Sequence, residues 1–413
     1  MRAMDPASDS GAAACGAAVL AAEASGGARL RVPNEPSRIA IADFKRILMS
    51  CVLSGASDVT FQSDQQPRAE ISGQLFRVGR RPWSPTEVDA VLAEAFQAPN
   101  AGAEIKGLRV LDFSYEINLG DGRKQRFRVN ATGVHGFDGF GVELTFRVLP
   151  RTTPDLAFAG LSKEEADAMS PRSGLVVVAG ATGSGKSATL AALARHHLEN
   201  GERPVKIVDL QAPIEYAFSD IARLRSGSPS IVGQSEIGRH VESFAAGVRS
   251  ALRRKPHIVI VGEARDLPTV SAALEASLTG HLVYTTTHAG SVAEGVRRLL
   301  AAFPASERAM RAGDLAASLR FFSVQHLIAN ASGNGRVPIR EYLEFGERFR
   351  ESLAAASPPE WPQLIAEAID SGGAAGPIRQ SLRKAVLASL ESGTIARADA
   401  ARLIGDAAPQ AGR

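Results

Sequence analysis

Residues Gly180 to Ser187 read GATGSGKS, a match to the pattern G-x-x-x-x-G-K-S. The continuous apolar run LVVVA before it, Leu175 to Ala179, predicts a buried parallel strand. The stretch SATLAALARHHLEN after it predicts a helix. Strand, glycine loop and helix in that order commit this part of the chain to a phosphate-binding βα unit. Gly183 and Gly185 let the backbone curl with its N–H groups turned inward, at the positive end of the following helix. Lys186 is placed to reach the β- and γ-phosphates, and Ser187 to offer its hydroxyl to Mg²⁺. The candidate nucleotide contacts are therefore Gly180, Ala181, Thr182, Gly183, Ser184, Gly185, Lys186, Ser187 and Ala188, with ATP and Mg²⁺ as the expected ligands.

The patterning on either side differs. Before Pro150, period-two alternation recurs in Ser57 to Ser63, Ala69 to Val78, Phe113 to Leu119, Phe127 to Val129 and Val142 to Val148, with Gly120-Asp121-Gly122 as a hairpin turn. Helical spacing marks Ile39 to Met49 and Thr86 to Phe96. These predict a small antiparallel sheet with helices. PRTTP, Pro150 to Pro154, predicts a stiff linker. Beyond it the strands turn continuously apolar (LVVVA, VKIVDL, IVIV, HLVYT) and helical segments separate them, which predicts a doubly wound parallel sheet. From Ala305 onward helical spacing dominates. Pro377 to Leu390 predicts a helix, with a proline at its start and Gly393 past its end.

A chain of 413 residues has room for two or three domains. Cys15 and Cys51 suggest neither a disulfide framework nor a zinc site, which fits a reducing cytoplasm. No apolar run approaches the roughly 20 residues that span a bilayer. A formal charge of +3, with only 8 of 47 basic residues being lysine, argues against direct nucleic-acid binding. Residues 1–36, rich in Ala, Gly, Ser and Asp, are expected to be a disordered tail.

Several side chains could act on a nucleotide. Glu263 follows IVIVG at the carboxyl end of a strand, the edge where open parallel sheets bind ligands, and is the candidate to orient the attacking water. His281 and His288 bracket HLVYTTTH at odd spacing, which argues against a shared metal. His288, past the strand, could sense a γ-phosphate or simply hydrogen-bond in the core. Glu215, beyond VKIVDL, could polarise water or hold Mg²⁺ through its shell, or be a surface carboxylate. Arg126, Arg128 and Arg147 lie on strands of the first domain, where a guanidinium could reach a γ-phosphate if the domain closed over it.

Taken in order, GASD at Gly55, DFSYE at Asp112, RFRVN at Arg126, the phosphate loop, QSEIGRHVESFAAGVRSALRRKPHIVIVGEARD from Gln234 and TGHLVYTTTHAGS from Thr279 resemble the secretion and pilus-motor ATPases, the family of PilT and GspE. The QSEI and RRKP segments and SPPEWPQLI look most similar to its DotB and TraJ branch, which serves type IVB secretion and conjugal transfer. The resemblance implies an α/β fold: a PAS-like domain over 37–149, a linker over 150–160, a RecA-like core over 161–345 and a helical subdomain over 346–413. It implies Glu263 as the Walker B glutamate, His281 and His288 as the histidine-box pair, and Arg128 and Arg147 as arginine fingers. The resemblance also implies a homo-hexamer, working in the cytoplasm against inner-membrane apparatus proteins, that hydrolyses ATP to export a protein or nucleoprotein.

Two departures qualify that expectation. Gln211 stands in DLQAPIEY where the family carries an acid, which leaves room for a weakly hydrolysing, nucleotide-gated docking scaffold. Glu347 to Ala354 differs from the corresponding segment of pilus retraction motors, although a pilus assembly or retraction role is the nearest alternative.

Overall fold

Alternation before Pro150 is realised as one face of a sheet. In a computed structural model that describes residues 19–22, 29–120, 123–200, 203–218, 221, 228–371 and 378–405, the chain divides into two units. The first runs to Arg151 and takes in Ala212–Glu215; the second holds Thr152–Gln211 and the chain from Tyr216 onward.

The first unit contains β1 (Ala21–Ala22), β2 (Arg29–Arg31), α1 (Ile41–Leu53), β3 (Ala56–Gln62), β4 (Arg68–Ile71), β5 (Gln74–Val78), α2 (Pro85–Phe96), α3 (Ala101–Lys106), β6 (Leu111–Gly120), β7 (Arg123–Val134) and β8 (Gly141–Val148). The sheet order is β1-β2-β5-β4-β3-β8-β7-β6. Every pairing is antiparallel except that of β2 with β5. Every second residue points inward: Val59, Phe61, Leu144, Phe146, Phe127 and Val129 are fully buried, with Phe44 of α1 packed edge-on and tilted against the rings of Phe61 and Phe146. The helix α2 starts where Ser84 and Glu87 form a reciprocal cap. Part of the expected tail is ordered: Leu20, Leu30 and Val32 are buried, and Leu30 pairs with Val78. These few large side chains add to the core, which offsets the entropy of ordering them. Residues 1–18 and 23–28 of that stretch, and Asp121 and Gly122 of the expected hairpin turn, lie outside the described residues.

The second unit continues with α4 (Lys163–Ala168), β9 (Gly174–Ala179), α5 (Lys186–Glu199), β10 (Lys206–Gln211), β11 (Ile231–Glu236), α6 (Phe244–Leu252), β12 (Ile258–Val261), α7 (Leu267–Leu278), β13 (Leu282–Thr287), α8 (Val292–Ala301) and α9 (Arg308–Ser318). It ends with β14 (Leu319–Ala329), β15 (Arg336–Glu344), α10 (Glu347–Ala355), α11 (Trp361–Ser371), β16 (Arg379–Gln380), α12 (Leu382–Glu391) and α13 (Arg397–Ile404). The order β11-β10-β12-β13-β9-β14 is parallel throughout, and β15 and β16 add antiparallel at the edge. Separate apolar clusters cover its two faces, so β9, β12 and β13 are buried along their whole length. This is a RecA-like core with helices following it.

Two elements are added to the sequence reading and one is corrected. Among the described residues the region from Ala305 is mostly helical, as its spacing predicts, and LRFFSVQHLIA and RVPIREYLE add the β14–β15 hairpin to it. The polar IVGQSE is the parallel edge strand β11. The last predicted helix begins at Leu382 rather than Pro377, because Ser381 caps it by accepting from Lys384 N–H.

Candidate nucleotide site

The phosphate loop leaves the end of β9 and runs into α5, whose first helical residue is Lys186. Gly183 and Gly185 have φ of 77° and 89°, the left-handed region that glycine enters without steric cost. A Cβ on Gly183 would meet nothing, so that side of the loop is open. A Cβ on Gly180 would collide with the Gln325 carbonyl oxygen, and one on Gly185 would sit 2.8 Å from Gln325 Nε2. The glycines thus serve two needs: curvature toward the open side and close approach of β14 behind.

Ala181, Thr182 and Gly183 are exposed, Ser184 is buried, and Ser187 and Ala188 are half-buried in the first turn of α5. Lys186 Nζ donates to Gly180 O at 2.8 Å and Ala181 O at 2.9 Å, folded across the loop. The open cradle, the lysine over it and the helix N-terminus beneath fit an anionic polyphosphate.

Strand register brings further groups to the same edge. Val261 pairs with Thr285 and Thr287 with Ala179, so Glu263, His288 and the loop leave three adjacent strands. Two strand spacings amount to about 10 Å. Glu263 Oε1 lies 3.0 Å from His288 Nε2 and also against the Arg265 guanidinium. The Glu263 stem is fixed from both sides, since Thr286 Oγ1 donates to Gly262 O at 2.6 Å and Ala264 N–H to Thr286 O at 2.9 Å. Glu263 and His288 are therefore brought together beside the phosphate loop.

His281 is not. It precedes β13 at the opposite, amino edge, where its Nδ1 lies 3.1 Å from Ala276 O. A six-residue strand spans roughly 20 Å, so within this chain His281 stands away from the loop, a correction to its place in the candidate site.

Glu215 falls with the first unit, where its carbonyl accepts from Arg126 Nη1 at 3.0 Å; Ile214 O accepts from Nη2 at 2.7 Å. Arg128 and Arg147 face each other directly across β7 and β8. Like charges so placed repel, and an aspartate accompanies each: Asp58 at 2.8 Å from Arg147, Asp112 at 3.8 Å from Arg128. The acids of GASD and DFSYE thus hold the two arginines in register.

Gln211 Nε2 donates to Asp209 Oδ1 at 2.7 Å, and Gln234 Nε2 donates to Asp209 Oδ2 at 2.8 Å. Burial raises the Asp209 carboxyl to about 6, against the pull of these two donors. No motif in the sequence marks Gln325 or Arg340. Gln325 Nε2 donates to Ser184 O at 2.6 Å, and its Oε1 accepts from Thr189 at 2.8 Å and from Arg340 Nε at 2.9 Å. The β14–β15 hairpin pattern, an apolar strand then Ser-Gly-Asn-Gly then a second strand, was the available signal.

The family model described as type II/IV secretion system protein matches residues 37–357. The chain belongs to this family. It is 31% identical to the type IV pilus retractation ATPase PilT of Pseudomonas aeruginosa, over 87% of this chain and 97% of the relative. It is 35% identical to the twitching motility protein of Neisseria gonorrhoeae, over 67% and 69% respectively. Among solved structures, the Legionella pneumophila ATPase DotB superposes with a TM-score of 0.81 at 35% identity, covering 91% of this chain and 99% of DotB. The architecture of the DotB and PilT ATPases, an N-terminal domain and a RecA-like core, is that of this chain, and the family relationship makes it a nucleotide-binding protein. Among the described residues no helix is long and apolar enough to cross a membrane.

Proposed function

We propose that this protein is an ATP-hydrolysing motor for export through a type IVB-like secretion or conjugal transfer apparatus. The observation that carries this reading is the convergence of the phosphate loop, Glu263 and His288 on one carboxyl edge of the parallel sheet. Lys186 and the loop N–H groups hold the phosphates. Ser187 is placed to ligate Mg²⁺, which when bound would neutralise phosphate charge. Glu263 orients the attacking water, with His288 fixing its carboxylate. Glu215 adds a carboxylate to the shell, and Arg128 and Arg147 stabilise charge growing on the γ-phosphate. The arginines sit on a separate unit from the loop, so assembly into a homo-hexamer, as the resemblance implies, is the arrangement in which one subunit completes the site of its neighbour. We read the assembly as a cytoplasmic ring docked on inner-membrane components and handling a protein or nucleoprotein, a reading in keeping with the likeness to the ATPase DotB.

The test is steady-state ATP turnover across concentrations that populate monomer and ring. Turnover is expected to rise with assembly and to fall at least about 100-fold in Lys186→Ala and Glu263→Gln. Turnover in assembled wild type no higher than in Glu263→Gln would replace the motor with a docking scaffold. A pilus motor is the second reading, favoured by the match to PilT over nearly its whole length. In the host, Lys186→Ala would then change surface pili and leave export intact; under the first reading export stops and pili are unchanged.

A further inference from the structure

Gln325 and Arg340 are 2% and 4% exposed, face each other across β14 and β15, and have no role in the chemistry above. Together they form one hydrogen-bonded line. Arg340 Nη1 donates to Gly160 O at 2.6 Å, Nη2 donates to Ala159 O, and Nε donates to Gln325 Oε1. The same oxygen takes the Thr189 hydroxyl from α5, and the amide nitrogen gives to Ser184 O in the phosphate loop. The carboxamide has one workable orientation, because turning it over would set its NH₂ against the Arg340 Nε–H and its oxygen against the Ser184 carbonyl. One side chain therefore fixes the spacing between the loop and the first turn of the helix behind it, and those two supply the N–H groups an anion needs.

The far end of the line is also tightly seated. Gly160 has φ of +60°, and a Cβ there would lie 2.7 Å from Pro338 Cγ on β15. Residues 159–160 belong to the stretch by which the chain, having left the first unit after Arg151, runs into the second.

We propose that Gln325 is a positioning residue of the phosphate loop, and that Arg340 makes the loop's geometry depend on the seating of residues 159–160. The proposal rests on the nucleotide-binding reading of the loop. A shift of the incoming chain would move two carbonyls that the buried guanidinium cannot exchange for water, and the carboxamide it holds would carry the shift to Ser184 and Thr189. Nucleotide affinity is then set in part some twenty residues upstream of the loop.

The experiment measures binding of a fluorescent ATP analogue and the melting temperature of nucleotide-free protein, on the full chain. Lys186→Ala tests the underlying reading and is expected to abolish binding; undiminished binding would remove that reading, whatever the other variants do. Gln325→Glu keeps the acceptor for Thr189 and Arg340 but turns the Ser184-facing donor into an acceptor. It is expected to bind about tenfold more weakly with a melting temperature within a few degrees of wild type. Thr189→Val, a milder lesion in the same line, is expected to weaken binding several-fold. Gly160→Ala is expected to do likewise from outside the site, and its loss should largely vanish in a Gln325→Glu background, as for two steps of one path. Wild-type affinity in folded Gln325→Glu, or in Thr189→Val should the former not fold, overturns the positioning role. Wild-type affinity in Gly160→Ala, or a loss that adds in full to that of Gln325→Glu, overturns the dependence on residues 159–160.

Discussion

Glycine at 262 is explained by its neighbour. A Cβ there would lie 2.5 Å from Gln211 Oε1 and 3.1 Å from Leu210 O, so the residue before Glu263 must be bare for Gln211 to reach Asp209. Gly262→Ala is expected to push Gln211 aside and tilt the Glu263 stem, lowering ATP turnover about tenfold. Because the collision is with a side chain, Gln211→Ala in the same protein should recover part of it. Kinetics of the two single variants and the double variant check this; no recovery would place the damage at the Leu210 carbonyl instead. At this scale the sequence was most legible where chemistry dictates residue type. GATGSGKS points to a phosphate ligand, and the place of Glu263 after IVIVG puts it at the carboxyl edge of the sheet, where it lies beside His288. His281 enters the candidate site only through the resemblance, because its place before β13 sets it at the edge away from the loop. Gln325 was invisible, since its importance lies in partners 136 and 141 positions away.

Elements that were hard to read are those whose burial comes from neighbours rather than from their own sequence. IVGQSE has few large apolar side chains, yet it pairs along all of β10, and Gln234 ties it there by donating to Asp209 and to Tyr216 O while accepting from Phe218 N–H. β14 cannot be told from a helix by its sequence, because its buried face is continuous and offers no alternation to read. The β10–β11 tie has a pH signature. Burial raises the Asp209 carboxyl from the usual 3.8 to about 6, so the folded state holds a proton that the unfolded state has given up across that interval. The stability this proton confers is complete below 3.8 and is lost as pH rises through 6. Asp209→Asn has no such proton to lose. Denaturant titrations from pH 4 to 7.5 should therefore show the variant gaining on wild type as pH rises, by on the order of 2 kcal/mol. A constant difference would mean that Asp209 titrates normally.

On the scale of the whole chain, the two units have separate apolar cores, and different groups govern their stability. In the first unit, burial would raise the Glu87 carboxyl, but the Arg81 guanidinium and the N–H groups of Ile39 and Ser84 outweigh it and hold the group near 2. Because the folded value is the lower one, this stability is fully present above the ordinary glutamate range near 4.5 and is lost as pH falls from there toward 2. Glu87→Gln leaves the half-buried Arg81 without its charged partner and is expected to cost about 2 kcal/mol. In the second unit, ATP bound to the phosphate loop adds stability by mass action. Scanning calorimetry can separate the two effects. At pH 7, Glu87→Gln should lower one transition and leave the ATP-responsive one in place; ATP with Mg²⁺ should raise the second and not the first. If ATP raised both transitions equally, the units would be unfolding as one. The clean division of the alternation pattern at Pro150 would then mark a change of architecture and not a boundary of cooperativity.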